Sequence, residues 1–290
     1  MADEEGNGLE DEQSFSCWEQ LLPDLLAQIL ARLPFEERFL SAPLVCKRWN
    51  RACKEEPHCW TSVDIEPWFL ARVQQDFWWE FECDDQIKWI IHEVVDRSRG
   101  MLQDLRTMHC CDSSLEYIAH RCPKLVSLGI RNSLRVTDSS AMTLAYKCPL
   151  LASIDISDCY NISSAGLEAL GRHCPRLIRL KRNMLRNSDR IERNKLLARG
   201  DDDEALVLSR SLRGIKHLEM KRGELSDEGL LHIARGCSRL EYLDVSLCAK
   251  LSAKGLDAAA GMLEKSLKIF IRPVLPPKQT LPDLLWVFFQ

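Results

Sequence analysis

The chain has 290 residues, of which 46% are hydrophobic and 28% charged, enough for a filled core and a hydrated surface. Its formal net charge of −4 argues against nucleic acid as the main partner, because such proteins normally carry a basic field. The acidic start MADEEGNGLEDEQ does not resemble a signal peptide, and no run of 18 apolar residues predicts a membrane span. We therefore expect a soluble intracellular protein with no membrane partner, located in the nucleus, the cytoplasm or both.

The first predicted element follows residues 1–15, an acidic stretch that we expect to be disordered. In WEQLLPDLLAQILARLP, apolar residues recur at helical spacing: Leu22, Leu26, Ile29, Leu30 and Leu33. Pro23 suits the first turn of this helix, Pro34 ends it, and Pro43 marks the next break. A short helical module is therefore predicted at the N-terminus.

The stretch LVCKRWNRACKEEPHCW, residues 44–60, contains three cysteines, a histidine and two tryptophans. It is compatible with a metal site, a nucleic-acid-binding arm or a packed helix. Cys46, Cys53, Cys59 and His58 lack the close pairing of zinc ligands, and Lys47, Arg48 and Arg51 are typical of a solvated helix face. The stretch predicts a packed helix whose apolar stripe is Val45, Trp49 and Ala52.

Residues 63–100 form an aromatic-rich connecting segment, with seven aromatic side chains between Trp68 and Trp89. This content is too apolar for a free linker, and residues 87–95 have the pattern of an amphipathic helix. Packing of the N-terminal module onto the region that follows is one interpretation of the aromatic residues. A partner-binding surface is the alternative.

Residues 101–272 contain internal repeats. CPKLVSLGI, CPLLASIDI and CPRLIRLKR begin at Cys122, Cys148 and Cys174, a period of 26 residues, and CSRLEYLDV begins at Cys237. Each unit combines a short alternating strand with a helix, and a serine or aspartate occupies the expected N-cap position. Because one such unit cannot bury its apolar faces alone, the copies are expected to stack into a curved solenoid with strands on the inside.

Two parts of this region depart from the repeat pattern. A charged insertion at about 184–204 predicts a solvated loop. Just before it, Arg182 occupies a position where Ile130 and Ile156 would point inward, so we expect it to distort its repeat or to lie at the edge of the insertion. The tail, residues 273–290, is unusually apolar and is interpreted as an atypical cap or an altered terminus.

These patterns resemble two known families. Cys159 and Cys248 follow the last apolar strand position by three residues, as in the cysteine-containing leucine-rich repeat, a resemblance that implies cysteines packed inside and bonded to backbone. Residues 16–62 resemble the F-box, although FEERFLSAP departs from the usual turn. The matching residues are Leu22, Pro23, Leu26, Ile29, Leu30, Leu33, Pro34, Val45, Cys46, Trp49 and Trp60.

The whole chain is similar to plant F-box/leucine-rich-repeat proteins of the Skp-interacting-partner type. The expected fold class is α/β, a helical F-box followed by a leucine-rich-repeat solenoid of the cysteine-containing type. The resemblance implies a substrate-recognition subunit of an SCF ubiquitin ligase. In such a ligase the F-box docks a Skp-type adaptor, which joins cullin and RING subunits, while the repeats bind an unidentified protein substrate.

No catalytic residue, metal or cofactor is expected, since a receptor works by bringing reactants together. Two alternatives remain open. One is a non-ligase scaffold that binds the adaptor without promoting ubiquitin transfer. The other is an enzyme with a Cys–His site, although the sequence contains no known nucleophile motif that supports it.

The resemblance assigns adaptor contact to F-box residues, some of which must instead hold the module together: Leu22, Pro23, Leu26, Ile29, Leu33, Pro34, Val45 and Trp49. Substrate contact is predicted for strand residues that alternate with the buried ones and so point to the concave side. The candidates are Arg131, Asp155, Arg179, Lys181, His217, Glu219, Tyr242 and Asp244. They include a cationic patch at Arg179 and Lys181, and solvation of the sheet is the alternative role.

Overall fold

The structure, a computed structural model, describes residues 21–73, 82–184 and 201–274. The N-terminal module consists of short helical elements: α1 (Pro23–Leu30), a π-helical turn (Glu37–Ser41), α2 (Ala42–Val45), α3 (Lys47–Glu55) and a 3-10 turn (Pro57–Trp60). Pro23 occupies the first turn of α1, as the sequence predicts, and Leu26, Ala27 and Leu30 are the buried face of that helix. No helix in the described ranges is long and apolar enough to cross a membrane.

The stretch 44–60 is not the single packed helix that the sequence predicts. Cys46 adopts an extended conformation, with φ −159° and ψ 169°, and separates α2 from α3. Val45 therefore does not share a stripe with Trp49 and Ala52, and its side chain is 61% exposed. Pro43 lies in the first turn of α2 rather than at a break. The spacing of apolar residues did not predict the break at Cys46, because that spacing carries no signal for a single extended residue between two helices.

After the module the chain alternates between strands and helices. The strands are β1 (Ser62–Asp64), β2 (Asp104–Met108), β3 (Ser127–Arg131), β4 (Ser153–Asp155), β5 (Arg179–Lys181), β6 (His217–Glu219), β7 (Tyr242–Asp244) and β8 (Ile269–Ile271). The helices are α4 (Glu66–Val73), α5 (Glu82–Ser98), α6 (Asp112–Arg121), α7 (Asp138–Lys147), α8 (Ser164–His173), α9 (Asp201–Ser211), α10 (Asp227–Gly236) and α11 (Ala253–Leu263).

The eight strands form one parallel sheet in chain order, which is the arrangement that stacked repeats produce. Register is constant from unit to unit, since Leu128 pairs with Ile154, Leu180 with Leu218, and Leu243 with Phe270. The inner side chains of the sheet and the buried faces of the helices share one apolar core. The prediction of a leucine-rich-repeat solenoid is confirmed.

Aromatic side chains join the N-terminal module to the sheet. Phe39 makes edge contacts with Trp60 and Trp89, at ring centroid distances of 6.0 and 5.8 Å, and the Arg97 guanidinium lies 4.5 Å from the Phe39 centroid. Strand β1 follows the module directly and pairs with β2, so the module leads into the sheet without a flexible link. Packing of Trp68 against Phe35 and of Trp89 against Phe39 matches the first interpretation of this segment. Residues 74–81, with four more of its aromatics, lie outside the described residues.

Aspartates near the starts of several helices bond to the start of the following helix. Asp138 begins α7, and its carboxylate accepts hydrogen bonds from the backbone N–H and hydroxyl of Ser163 in the following repeat. Asp227 at the start of α10 does the same for Ser252. The serines, not the aspartates, are the N-caps: Ser163, Ser226 and Ser252 accept from the first-turn N–H groups of their own helices.

The cysteines of the repeats are buried donors to backbone. The Cys159 thiol lies 3.1 Å from the carbonyl oxygen of Ile130, and that of Cys248 lies 3.0 Å from the carbonyl oxygen of Met220. Burial raises the pKa of Cys159 to about 12, so its thiol remains protonated near neutral pH. Among the residues that the structure describes, no group of His, Cys, Asp or Glu side chains is placed to hold a metal ion.

Arg182 does not distort its repeat, contrary to one of the two expectations for it. Its backbone N–H continues the ladder to the carbonyl of Glu219, while its guanidinium points into the core, where the side chain is 2% exposed. There it forms two hydrogen bonds with Glu204, at 3.2 and 3.0 Å, and donates to the carbonyl oxygens of Cys159 and Ile162. Residues 185–200, most of the charged insertion, lie outside the described residues.

Candidate interaction surfaces

A set of exposed apolar side chains on the N-terminal module is one candidate site. Its side chains come from one stripe of α1 and from the π-helical turn and α2, and all are between 38% and 83% exposed. We call this set the N-terminal apolar surface: Leu22, Leu25, Ile29, Leu40, Leu44 and Val45. Exposed apolar side chains concentrated in one small module are typical of a protein interaction site.

The predicted adaptor residues divide between this surface and the core. Leu22, Pro23, Ile29, Pro34 and Val45 are exposed. Leu26 lies on the buried face of α1 and is fully buried, so it packs inside the module. Leu33 and Trp49 are half-buried and pack against the core. Leu25, Leu40 and Leu44 were missed, although Leu25 continues the i, i+3 spacing from Leu22 and was available to sequence reasoning.

The second candidate is the face of the sheet that points away from the helices, which we call the open face. Register places its side chains in rows across neighbouring strands. One row runs Ser153, Arg179, His217 and Tyr242, and the next runs Asp155, Lys181, Glu219 and Asp244. Seven of the eight predicted substrate residues therefore lie side by side on β4 to β7. The eighth, Arg131, ends β3 and lies 3.5 Å from the Glu66 carboxylate of α4.

Glu219 is the centre of a hydrogen-bonded network on the open face. It receives bonds from His217 at 2.9 Å, Asn183 at 3.0 Å and Lys181 at 3.1 Å, and its side chain is only 7% exposed. Burial by itself would raise the pKa of Glu219, but these donors outweigh it and lower the pKa to about 2. The predicted cationic patch is therefore partly neutralised, because Lys181 already forms an ion pair with the Glu219 carboxylate.

Asp244 extends the same network to β7. Lys221 lies 2.9 Å from the Asp244 carboxylate and 3.6 Å from that of Glu219, so one ammonium group bridges two buried acids. Its hydrogen bond to Asp244 raises the pKa of Lys221. Glu219 and Asp244 form the floor of the open face, while Lys181 and Lys221 remain 37% and 30% exposed above them.

Aromatic and aliphatic side chains continue the first row. The rings of His217 and Tyr242 are stacked, with centroids 4.1 Å apart and planes within 6°. Beyond Tyr242 the register places Ile269, which is 51% exposed, and beside Asp244 it places Ile271, which is 38% exposed. Sequence reasoning missed both isoleucines, although Phe270 between them continues the buried position of Leu243 and so predicts that they share the open face.

Comparison with known proteins agrees with this architecture. The F-box domain family model matches residues 18–61. The F-box protein SKIP1 of Arabidopsis thaliana is 36% identical over 87% of this chain and 86% of its own length. The putative F-box/LRR-repeat protein 19 of the same plant is 42% identical over 94% of this chain and 91% of its own length.

These relatives are similar to the chain along almost its whole length, across both the helical module and the repeats. The F-box match ends at residue 61, immediately before β1, where the parallel sheet begins. The sequence, the sheet of stacked repeats and the relatives therefore agree, and the chain belongs to the plant F-box/leucine-rich-repeat proteins.

Proposed function

We propose that this protein is the substrate-recognition subunit of an SCF ubiquitin ligase, acting in the nucleus, the cytoplasm or both. The observation that carries the proposal is the N-terminal apolar surface, which lies within the matched F-box. F-box domains bind Skp-type adaptors, and an adaptor would remove these leucines and the exposed Ile29 and Val45 from water. Burial of apolar area is the main driving force of such association.

The open face of the sheet holds the protein substrate in this proposal. Charged and aromatic side chains from successive strands lie in register there, so a partner can contact several repeats at once. Because β1 follows the F-box directly, the adaptor and the substrate are held on one framework. A substrate kept near a ubiquitin-loaded conjugating enzyme reacts at a high effective concentration, which requires no catalytic residue in the receptor.

Reconstituted ubiquitin transfer tests this function. Proteins captured by the full chain while the ligase is inhibited are identified by mass spectrometry. Each is then incubated with the chain, Skp-type adaptor, cullin and RING subunits, the activating and conjugating enzymes, ubiquitin and ATP. We expect captured proteins to be modified only when the chain is present. Capture and adaptor binding without any transfer would instead establish the non-ligase scaffold.

A further inference from the structure

The open face changes its chemistry from β5 to β8 along one row. Arg179 on β5 is followed by His217 on β6, Tyr242 on β7 and Ile269 on β8. A cation is therefore at one end, two stacked rings are in the middle, and an exposed aliphatic side chain is at the other end. The row is graded from charged to apolar.

The cationic end has an arginine that forms no ion pair with any other residue that the structure describes. Arg179 is exposed, and among the described residues no carboxylate lies within ion-pair distance of it. Its neighbour Lys181 is bonded to Glu219, which already has three hydrogen-bond donors. An incoming carboxylate would therefore meet Arg179 without displacing a structural ion pair, and a guanidinium binds carboxylates with two parallel hydrogen bonds.

The apolar end also has surface that the fold leaves exposed. Ile269 and Ile271 occupy positions that are serine or arginine, and glycine, aspartate or lysine, on β3 to β5. Exposure of an isoleucine side chain to water does not stabilise the sheet, whereas its burial under a partner side chain contributes favourable binding free energy. Together with the ring of Tyr242, they form a compact apolar area on β7 and β8.

We propose that the open face of β5 to β8 binds an extended acidic segment of the protein substrate, with one carboxylate on Arg179 and one large apolar side chain on Tyr242, Ile269 and Ile271. This proposal rests on the proposed function and specifies its substrate class. Strands lie about 4.8 Å apart, so three intervals separate the two ends by roughly 14 Å. An extended chain advances about 3.3 Å per residue, which places the acidic and apolar residues about four positions apart.

Peptide selection on the purified full chain tests this specificity. The probe is a random library of 12-residue peptides displayed on phage. We expect enrichment of sequences in which Asp or Glu precedes or follows Leu, Ile or Phe by three to five positions. Enrichment of basic or purely apolar peptides, or no enrichment at all, would overturn the proposal. Adaptor binding and ubiquitin transfer do not enter this measurement, so its failure leaves the proposed function to its own test.

Variants then locate the binding site of one selected peptide by fluorescence anisotropy. Arg179→Glu and the double change Ile269→Ser with Ile271→Ser should each weaken binding roughly tenfold, since each removes one of two anchors. Arg176→Glu and Met262→Ser are matched controls at exposed positions outside the row and should change nothing. Equal affinity in all variants, or equal losses in the controls, would contradict the assignment.

A charge exchange separates recognition from damage to the fold. Replacing the acidic residue of the peptide by Arg should weaken binding to the wild type by a similar factor and restore binding to Arg179→Glu. An Arg179→Glu variant that keeps the wild-type melting temperature and binds neither peptide would contradict the assignment. Sedimentation of the wild type tests whether a second copy of the chain binds the open face instead. A dimer that disappears in the isoleucine double variant would show that these side chains bind another copy and would overturn the proposal.

Discussion

The N-terminal apolar surface and the open face of the sheet expose side chains in different ways. In the former, Leu44 and Leu22 are exposed, while Leu26 and Leu30 of the same module are buried and hold it together. In the latter, Glu219 and Asp244 are buried and bonded to the cations that cover them. A change at the first surface should therefore affect binding alone, whereas a change in the second can affect binding and stability together. Each variant needs both measurements.

The largest effect on binding is expected at the N-terminal apolar surface. Leu22→Asp with Leu44→Asp would place two charges in an interface that depends on apolar burial, and should weaken binding of the Skp-type adaptor by about 100-fold. The melting temperature should not change, because both side chains are exposed. Calorimetric titration and thermal unfolding measure the two quantities. Met142→Asp, at an exposed position on α7, is the control. If this change also weakened adaptor binding, the effect would not be specific to the N-terminal apolar surface.

Arg182 and Arg179 lie three residues apart and provide a matched comparison of an inward and an outward cation. Arg182→Met should lower the free energy of unfolding by about 3–5 kcal/mol, because Glu204 would be left charged and buried without its partner. Arg179→Met should change it by no more than about 0.5 kcal/mol. Chemical denaturation measures both. A double variant with Glu204→Gln should recover part of the loss, and equal costs for both arginines would refute the buried-pair account.

Glu219 gives the network a dependence on pH. Its pKa in the folded protein is about 2, below the ordinary value of 4.5, so its stabilising effect is complete above about pH 4.5 and is lost as pH falls toward 2. Glu219→Gln should cost about 2 kcal/mol at neutral pH and progressively less below pH 4.5. Unfolding of both proteins across this range tests the sign. A difference that grows on acidification would contradict it.

A further comparison concerns two glycines of α11. A Cβ at Gly255 would collide with the carboxylate of Asp227, whose hydrogen bonds to Ser252 join α10 to α11. Gly255→Ala should therefore cost about 1–3 kcal/mol. Gly261→Ala on the same helix meets no atom within 4 Å and should be neutral or stabilise by up to about 1 kcal/mol. If both changes stabilise the protein, the close contact between repeats is not as described.

The repeat architecture was predictable because its causes are periodic and local. A period of 26 residues and alternation such as that of Leu128 and Ile130 suffice for stacked strands and helices. The break at Cys46 was not predictable from apolar spacing, since α2 and α3 differ from one helix by a single extended residue. Boundaries of the disordered start, the insertion and the tail stay predictions.

The contents of the two surfaces were harder to predict than their positions. Leu26 and Ile29 share one apolar pattern, and only packing shows that the first is buried and the second exposed. Arg182 could not be assigned because its partner Glu204 lies at the far end of the predicted insertion, with no fixed spacing between the two residues. The neutralisation of Lys181 by Glu219 likewise depends on side chains of two strands separated by that insertion.

Hydrogen exchange of the full chain, alone and bound to the Skp-type adaptor, tests most directly whether the two surfaces have separate roles. We expect slower exchange within residues 22–45 in the complex and unchanged exchange in β4 to β8. Protection of those strands by the adaptor, or no protection within residues 22–45, would contradict the assignment of adaptor binding to the F-box and of substrate binding to the open face.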